Sequence, residues 1–179
     1  MLDVIYTYSI LCCSLNVVHS KGVSLEFVIN ALEKFAYPTL AQSWDNVGLL
    51  VEPIESQMIT TILLTNDLTE DVMDEALAYS TNLIITYHPL IFTPLKKITN
   101  VKWKVSHLDI ARNKTRIIRI VSGSYLVSKI LFFIQERIIS KCLANNIAVY
   151  SPHTSWDTTE GGVNDWLASA FGKVIDRQK

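Results

Sequence analysis

The stretch 59-ITTILLTNDLTEDVMDEALAYSTNLIITYHP-89 decides the fold. It opens with a run of β-branched and aliphatic residues at 59–65, which is typical of a strand. Thr69 can cap a helix whose first turn contains two acids, Glu70 among them, because acids suit the positive end of the helix dipole. A second apolar run at 83–87 predicts another strand. Strand, short helix and strand form a βαβ unit, so we expect these two strands to be parallel and buried.

Further elements flank this unit on both sides. Ser24 can cap a helix that runs to about Tyr37. Its apolar residues recur at three- and four-residue steps and therefore share one face: Leu25, Val28, Leu32 and Phe35. Downstream, the patterns predict a helix at 136–146, a strand at 147–150 and a helix at 162–171. The alternation predicts the α/β fold class, with a layered mixed sheet and flanking helices.

Composition narrows the class of protein. The chain has 179 residues, of which 49% are hydrophobic and 18% are charged, as in globular domains. The net charge of −1 gives no reason to expect direct binding of nucleic acid or of an anionic membrane. The three cysteines have neither disulfide nor zinc spacing, which favours a reducing compartment. We expect the cytoplasm rather than the mitochondrion, because the N-terminus lacks arginine and contains an acid.

The domain organisation is predicted in three parts. Residues 1–22 are expected to be a poorly ordered leader, residues 23–172 a single α/β domain, and residues 173–179 a tail outside it. The segment 105–135 interrupts the domain and has no clean helical or alternating period. Its ends are compatible with splice signals, since valine–serine can be encoded GTAAGT and the final glutamine CAG. One hypothesis is therefore a retained intron, and the alternative is a genuine lineage-specific loop.

Two histidines mark the ends of predicted strands. His88 follows the strand 83–87, where Pro89 stops it, and open α/β sheets bind ligands at that edge. His153 and Asp157 follow the strand 147–150 in the same way. If the two strands are neighbours, all three side chains project from one edge, and imidazole plus carboxylate suits Zn²⁺ or another first-row divalent ion. The alternative is that these residues are ordinary hydrogen-bonding groups, with Asp157 capping a turn.

Several ordered motifs resemble one family. They are SWDNVGLL (43–50), LTNDLTEDVMDEAL (64–77), YHPLIF (87–92) and YSPHTSWD followed by GVNDWLA (150–168). These resemble the Ngg-interacting-factor-three-like family, often described as GTP cyclohydrolase I type 2, and most of all its animal branch. The resemblance implies the N-terminal lobe of a two-lobed α/β fold that forms toroidal homo-oligomers around paired divalent ions.

The resemblance also implies a ligand set. His88 and Asp157 correspond to ligands of one metal ion, which would be zinc, iron or manganese, whereas His153 lies near the site without an assigned ligand role. Tyr87 stands where the family has a histidine for the other metal, and a phenol with a pKa near ~10 is a poor ligand at neutral pH. The family's later histidine and glutamate have no counterpart in the sequence, so we expect an incomplete site.

Two functions follow from the resemblance. The first is a metal-dependent hydrolase acting on a nucleotide or a similar small substrate, although the missing ligands leave open whether this chain is an enzyme. The alternative that the resemblance implies is a protein-interaction scaffold without catalysis, whose partners would be transcription coregulators in the cytoplasm and the nucleus. Stoichiometric metal that depends on His88 and Asp157 would favour the first function over the second.

Overall fold

A single five-stranded sheet organises the molecule. The computed structural model describes residues 16–55, 58–95, 98 and 124–172. The strands are β1 (Asn16–Ser24), β2 (Gly48–Val51), β3 (Met58–Thr65), β4 (Leu83–Thr86) and β5 (Ala148–Ser151). They lie in the order β1-β3-β4-β5-β2.

The helices connect these strands and cover the sheet. They are α1 (Leu25–Phe35), α2 (Glu70–Ala78), α3 (Ser124–Ala144), α4 (Thr154–Thr158) and α5 (Val163–Ser169), with a 3₁₀ turn at Pro38–Leu40. Ser24 caps α1 by accepting from the Phe27 N–H, and Thr69 caps α2 by accepting from the Val72 N–H. Both caps were predicted from the sequence, and both are confirmed. Among the described residues, no helix is both long and apolar enough to cross a bilayer.

The central strands are parallel and the outer strands are antiparallel. β3 pairs with β4 in parallel, with Leu63 opposite Ile84, which confirms the predicted βαβ unit. β4 in turn pairs in parallel with β5, with Ile84 opposite Val149. β1 and β2 close the two edges by antiparallel pairing with β3 and β5. The α/β class and the mixed sheet are therefore confirmed.

Apolar residues of β4 alternate between two cores. Ile84 packs on the side of α2 and α3, in a cluster with Met73 and Ile138. Leu83 and Ile85 face the opposite side, where α1 packs. Strands covered on both faces read as continuous apolar runs, and every residue of β4 and β5 is buried. Because both strands are buried along their whole length, the residues that follow them leave the sheet in fixed directions.

Two boundaries differ from the prediction. The chain enters the sheet at Asn16, so part of the expected leader 1–22 belongs to β1. The paired residues of β1 and β3 lie between 34 positions (Ser24 with Met58) and 48 positions (Asn16 with Leu64) apart, and such pairing leaves little trace in a local pattern. α3 begins at Ser124, so the last part of the segment 105–135 is helical, although the apolar residues of this segment have no clean helical period. Residues 1–15, 99–123 and 173–179 lie outside the described residues, and the hypothesis of a retained intron stays a prediction.

Candidate functional site at the carboxyl edge of the sheet

The carboxyl ends of β4 and β5 bring two histidines to one edge. Because these strands are parallel neighbours, Tyr87 and His88 leave the sheet beside His153. The Ser151 hydroxyl donates to the Tyr87 carbonyl at 3.0 Å, and the His88 N–H donates to the Asn66 carbonyl at 2.9 Å. The neighbouring strands that the sequence argument required are therefore present.

Three aromatic rings meet at this edge. The ring centroids of His88 and His153 are 5.8 Å apart. The Tyr87 ring lies against both imidazoles, at 5.0 Å from His88 and 5.6 Å from His153, in edge-to-face geometry. Such contacts are favourable for aromatic rings and hold the three side chains in one group.

Asp157 joins this group through Tyr87. Asp157 lies in the short helix α4, and its Oδ1 accepts a hydrogen bond from the Tyr87 hydroxyl at 2.6 Å. Burial, followed by the hydrogen bond to Asp157 and its negative charge, raises the pKa of Tyr87 well above its ordinary value. Tyr87 therefore remains a neutral phenol that donates a hydrogen bond, which agrees with its predicted weakness as a metal ligand.

His153 is held by a buried carboxylate. Its Nδ1 lies 2.8 Å from Asp45 Oδ1, and the Asp45 side chain is 0% exposed. Asp45 also accepts hydrogen bonds from the N–H and the hydroxyl of Thr154 and from the N–H of Asn46. Burial works to raise the pKa of Asp45, but the hydrogen bonds from Thr154, His153 and Asn46 outweigh it and leave that pKa below its ordinary value.

The backbone of His153 is strained. Its φ of 34° and ψ of −122° lie outside the regions that residues with a side chain ordinarily adopt. Strain of this kind costs of order 1–3 kcal/mol and is kept where the surroundings enforce it, often at functional sites. Here the hydrogen bonds that Asp45 accepts from His153 and Thr154 hold the strained conformation in place.

His88 has a similar partner in a different setting. Its Nδ1 lies 2.8 Å from Asp67 Oδ1, and both side chains are largely exposed. Asp67 lies two residues beyond the end of β3, as His88 lies two residues beyond the end of β4, so both leave the sheet at the same edge. In both pairs the carboxylate engages Nδ1, so the opposite ring nitrogen, Nε2, points away from the pair.

The donor set is suited to a divalent ion but is small. A carboxylate on Nδ1 is the usual partner of a metal-binding histidine, because it fixes the ring and leaves Nε2 for the metal. His88 has this arrangement. In Asp157, Oδ1 accepts the hydrogen bond from the Tyr87 hydroxyl, and Oδ2 is the second carboxylate oxygen. No group of three or more His, Cys, Asp or Glu side chains within the described ranges is arranged as a complete metal cage. The residues present thus fit part of a metal site.

The comparison with known families decides the classification. The sequence model of Duf34/NIF3 (NGG1p interacting factor 3) matches residues 23–117 and 129–176. The chain belongs to the Duf34/NIF3 family. The resemblance found in the motifs is confirmed, and the family name itself describes an interacting factor.

Named relatives of this Duf34/NIF3 chain include animal and bacterial proteins. NIF3-like protein 1 of Drosophila melanogaster is 46% identical over 157 residues, which are 88% of this chain and 43% of the relative. The GTP cyclohydrolase 1 type 2 homolog of Clostridium perfringens is 34% identical over 150 residues, covering 84% of this chain and 45% of the relative. The crystal structure of a Bacillus cereus protein related to NIF3 has 32% identity and a TM-score of 0.62, covering 87% of this chain and 34% of that one. The chain spans less than half the length of each.

Sequence reasoning named the imidazoles and Asp157 but missed the residues that orient them. The structure links His88 and Asp157 through Tyr87, which contacts both. Asp67 could have been found, because it follows β3 at the same spacing as His88 follows β4, and parallel strands end at one edge. Asp45 could not, because it lies 108 residues from His153 in a loop that is not part of the βαβ unit.

Proposed function

We propose that this Duf34/NIF3 chain carries part of a divalent-metal site that serves hydrolase-like chemistry on a nucleotide or similar small substrate. The observation that carries the proposal is the pairing of His88 Nδ1 with Asp67 Oδ1 at 2.8 Å. This pairing orients Nε2 as a metal-binding atom at the edge where α/β sheets bind ligands. The name of the related GTP cyclohydrolase 1 type 2 homolog supports the class of chemistry.

His88 and Asp157 are the proposed ligands. His88 would bind through Nε2, since Asp67 engages its Nδ1. Asp157 would bind through Oδ2, since the hydroxyl of Tyr87 engages Oδ1. When bound, a divalent ion acts as a Lewis acid and lowers the pKa of a water molecule towards neutrality. Tyr87, as a neutral donor, fixes which carboxylate oxygen is left for the ion.

His153 is proposed to accept and donate protons beside that site. Its Nδ1 is fixed by Asp45, and its ring lies 5.8 Å from that of His88. The hydrogen bonds of Asp45 hold the imidazole at this position despite the strained backbone of His153. An imidazole with one nitrogen anchored can exchange a proton at the other, as general acid–base catalysis requires.

Two protein ligands do not complete such a site. Catalytic zinc sites usually have three protein ligands and one open position. We therefore propose that further donors come from outside the described set, and that the assembled protein is a homo-oligomer in which the site is completed. Analytical ultracentrifugation with and without Mn²⁺ tests this part, and a chain that stays monomeric in both conditions would contradict it.

Metal analysis tests the core of the proposal. We expect purified protein to bind Zn²⁺ or Mn²⁺ stoichiometrically in calorimetric titrations, and His88→Ala and Asp157→Ala each to weaken binding at least tenfold. Asp74→Ala is the matched control, because Asp74 is an exposed acid of α2 that pairs with Lys141. Unchanged binding in both site variants, or no binding by the unaltered protein, would overturn the proposal.

The reaction class has its own test. Protein loaded with Mn²⁺ is incubated with GTP, and the products are separated by liquid chromatography and identified by mass. We expect a hydrolytic product that His88→Ala abolishes and Asp74→Ala leaves unchanged. Metal binding without any turnover of GTP or other nucleoside triphosphates would restrict the function to metal binding.

A further inference from the structure

Two exposed aromatic rings stand beside the candidate metal site. Trp44 is 61% exposed and Phe92 is 49% exposed. Their ring centroids are 6.1 Å apart with an interplanar angle of 65°. Trp44 also contacts the His153 ring, at 6.1 Å and 78°. Trp44 therefore presents an exposed indole in direct contact with a histidine of the candidate site.

The loop that carries Trp44 is fixed rather than free to collapse. The Asn46 side chain donates to the Ile91 carbonyl, which ties this loop to the segment carrying Phe92. The Gln42 N–H donates to the Thr154 hydroxyl at 3.1 Å, which ties the same loop to the segment after β5. Between these two points, the buried Asp45 holds His153. Trp44 is therefore held in place on both sides, as a preorganised binding surface requires.

The rings form a continuous series towards the proposed ligands. Phe92 contacts Trp44, Trp44 contacts His153, and His153 contacts both Tyr87 and His88. A flat molecule stacked on Trp44 would thus lie one ring away from His153.

We propose that Trp44 and Phe92 bind the planar heteroaromatic ring of the substrate, in the manner of a purine base, next to the metal ligands. The inference rests on the proposed function, because it describes the substrate of that site. The edge-to-face packing of Phe92 on Trp44 leaves indole surface exposed, and every nucleobase has a π-face that stacks on such a surface. Two aromatic side chains offer at most about 500 Å², less than the roughly 800 Å² that each partner contributes to a standard interface, so these two rings alone match a small planar ligand better than a protein surface.

Calorimetric binding of guanosine 5′-monophosphate tests the inference, with ribose 5-phosphate as the probe that lacks the ring. We expect the nucleotide to bind and the sugar phosphate to bind at least tenfold more weakly. Trp44→Leu should weaken nucleotide binding by about 5- to 150-fold, the range that corresponds to loss of one stacking contact. Trp44→Phe should retain most of the affinity, and Phe92→Leu should show a smaller loss. Phe27→Leu is the matched control, because Phe27 is an equally exposed aromatic of α1 that makes none of these ring contacts.

The outcomes separate this inference from the metal site. The titrations are run in EDTA and again with Mn²⁺, and thermal melting of each variant shows that it is folded. Ring-dependent binding that Trp44→Leu reduces in EDTA supports the inference even if no metal binds, in which case only the proposed function fails. Equal binding of both probes, no binding of the nucleotide, or binding unaffected by Trp44→Leu overturns the inference while leaving the metal test intact. A change in oligomeric mass on Trp44→Leu, without nucleotide binding by the unaltered protein, would instead assign Trp44 to contacts between chains and also overturn it.

Discussion

Two histidine–carboxylate pairs at the same sheet edge have the same geometry and opposite surroundings. In each pair, Nδ1 of the imidazole lies 2.8 Å from Oδ1 of an aspartate. The His153 and Asp45 side chains are 17% and 0% exposed, whereas those of His88 and Asp67 are 52% and 67% exposed. The distance alone would suggest equal roles. The difference in burial indicates that one pair holds the loops together and that the other presents an oriented ring to solvent.

The physical reason is the cost of an unpaired group. A buried carboxylate that loses its partners keeps the full penalty of its desolvation, and so do the donors that face it. An exposed pair exchanges its mutual contact for water, so it contributes only about 0–1 kcal/mol. Its contribution to function is the fixed orientation of the ring, which affects ligand affinity more than folding.

The largest expected effect comes from removing the buried carboxylate. Asp45→Ala should lower the free energy of unfolding by about 3 kcal/mol, because it leaves buried donors of His153 and Thr154 without an acceptor. Urea unfolding followed by circular dichroism measures this. The comparison with Asp67→Ala, which removes an exposed aspartate at the same distance from its histidine, measures the combined effect of burial and of the additional hydrogen bonds that Asp45 accepts from Thr154 and Asn46. Equal losses in the two variants would show that burial does not separate the pairs.

The pKa of Asp45 predicts how the free energy of unfolding depends on pH. The pKa of Asp45 is lowered in the folded protein, despite its burial, because of its hydrogen bonds. A group with a lowered folded pKa stabilises the fold above its unfolded pKa, which is about 3.9 for aspartate, and loses that contribution as the pH falls through the folded pKa. The stability difference between unaltered protein and Asp45→Asn should therefore be constant near neutrality and shrink below about pH 4. A difference that grows on acidification would contradict the assigned direction.

The sequence was informative where the interactions are local or follow from strand direction. The caps at Ser24 and Thr69 and the parallel pairing of β3 with β4 could be predicted because helix caps and βαβ connections have short-range signatures. The position of His88 beside His153 at one sheet edge could be predicted because β4 and β5 are neighbouring parallel strands. β1 and the Asp45 pair were missed because each depends on a partner that is remote in sequence, which no local pattern encodes.

An intermediate effect is expected at Tyr87. Tyr87→Phe keeps the ring contacts with both histidines but removes the hydroxyl that donates to Asp157 at 2.6 Å. If Asp157 is a ligand, this change should weaken Mn²⁺ binding by about 10- to 100-fold, as loss of an orienting hydrogen bond does elsewhere, and leave the stoichiometry unchanged. Tyr79→Phe is the control, since Tyr79 is an exposed phenol at the end of α2. Metal affinity that does not change in Tyr87→Phe would show that Asp157 needs no orientation or binds no metal.

The smallest effect on folding should come from the exposed pair. Asp67→Ala is expected to change the free energy of unfolding by no more than about 1 kcal/mol, because both side chains are hydrated before and after the change. Metal binding should nevertheless weaken about tenfold, since the His88 ring would rotate more freely. Urea unfolding and calorimetric titration of the same preparation measure both quantities. A variant that loses stability but keeps its metal affinity would reverse the roles assigned to the two pairs, because Asp67 would then support the fold and leave His88 to orient itself.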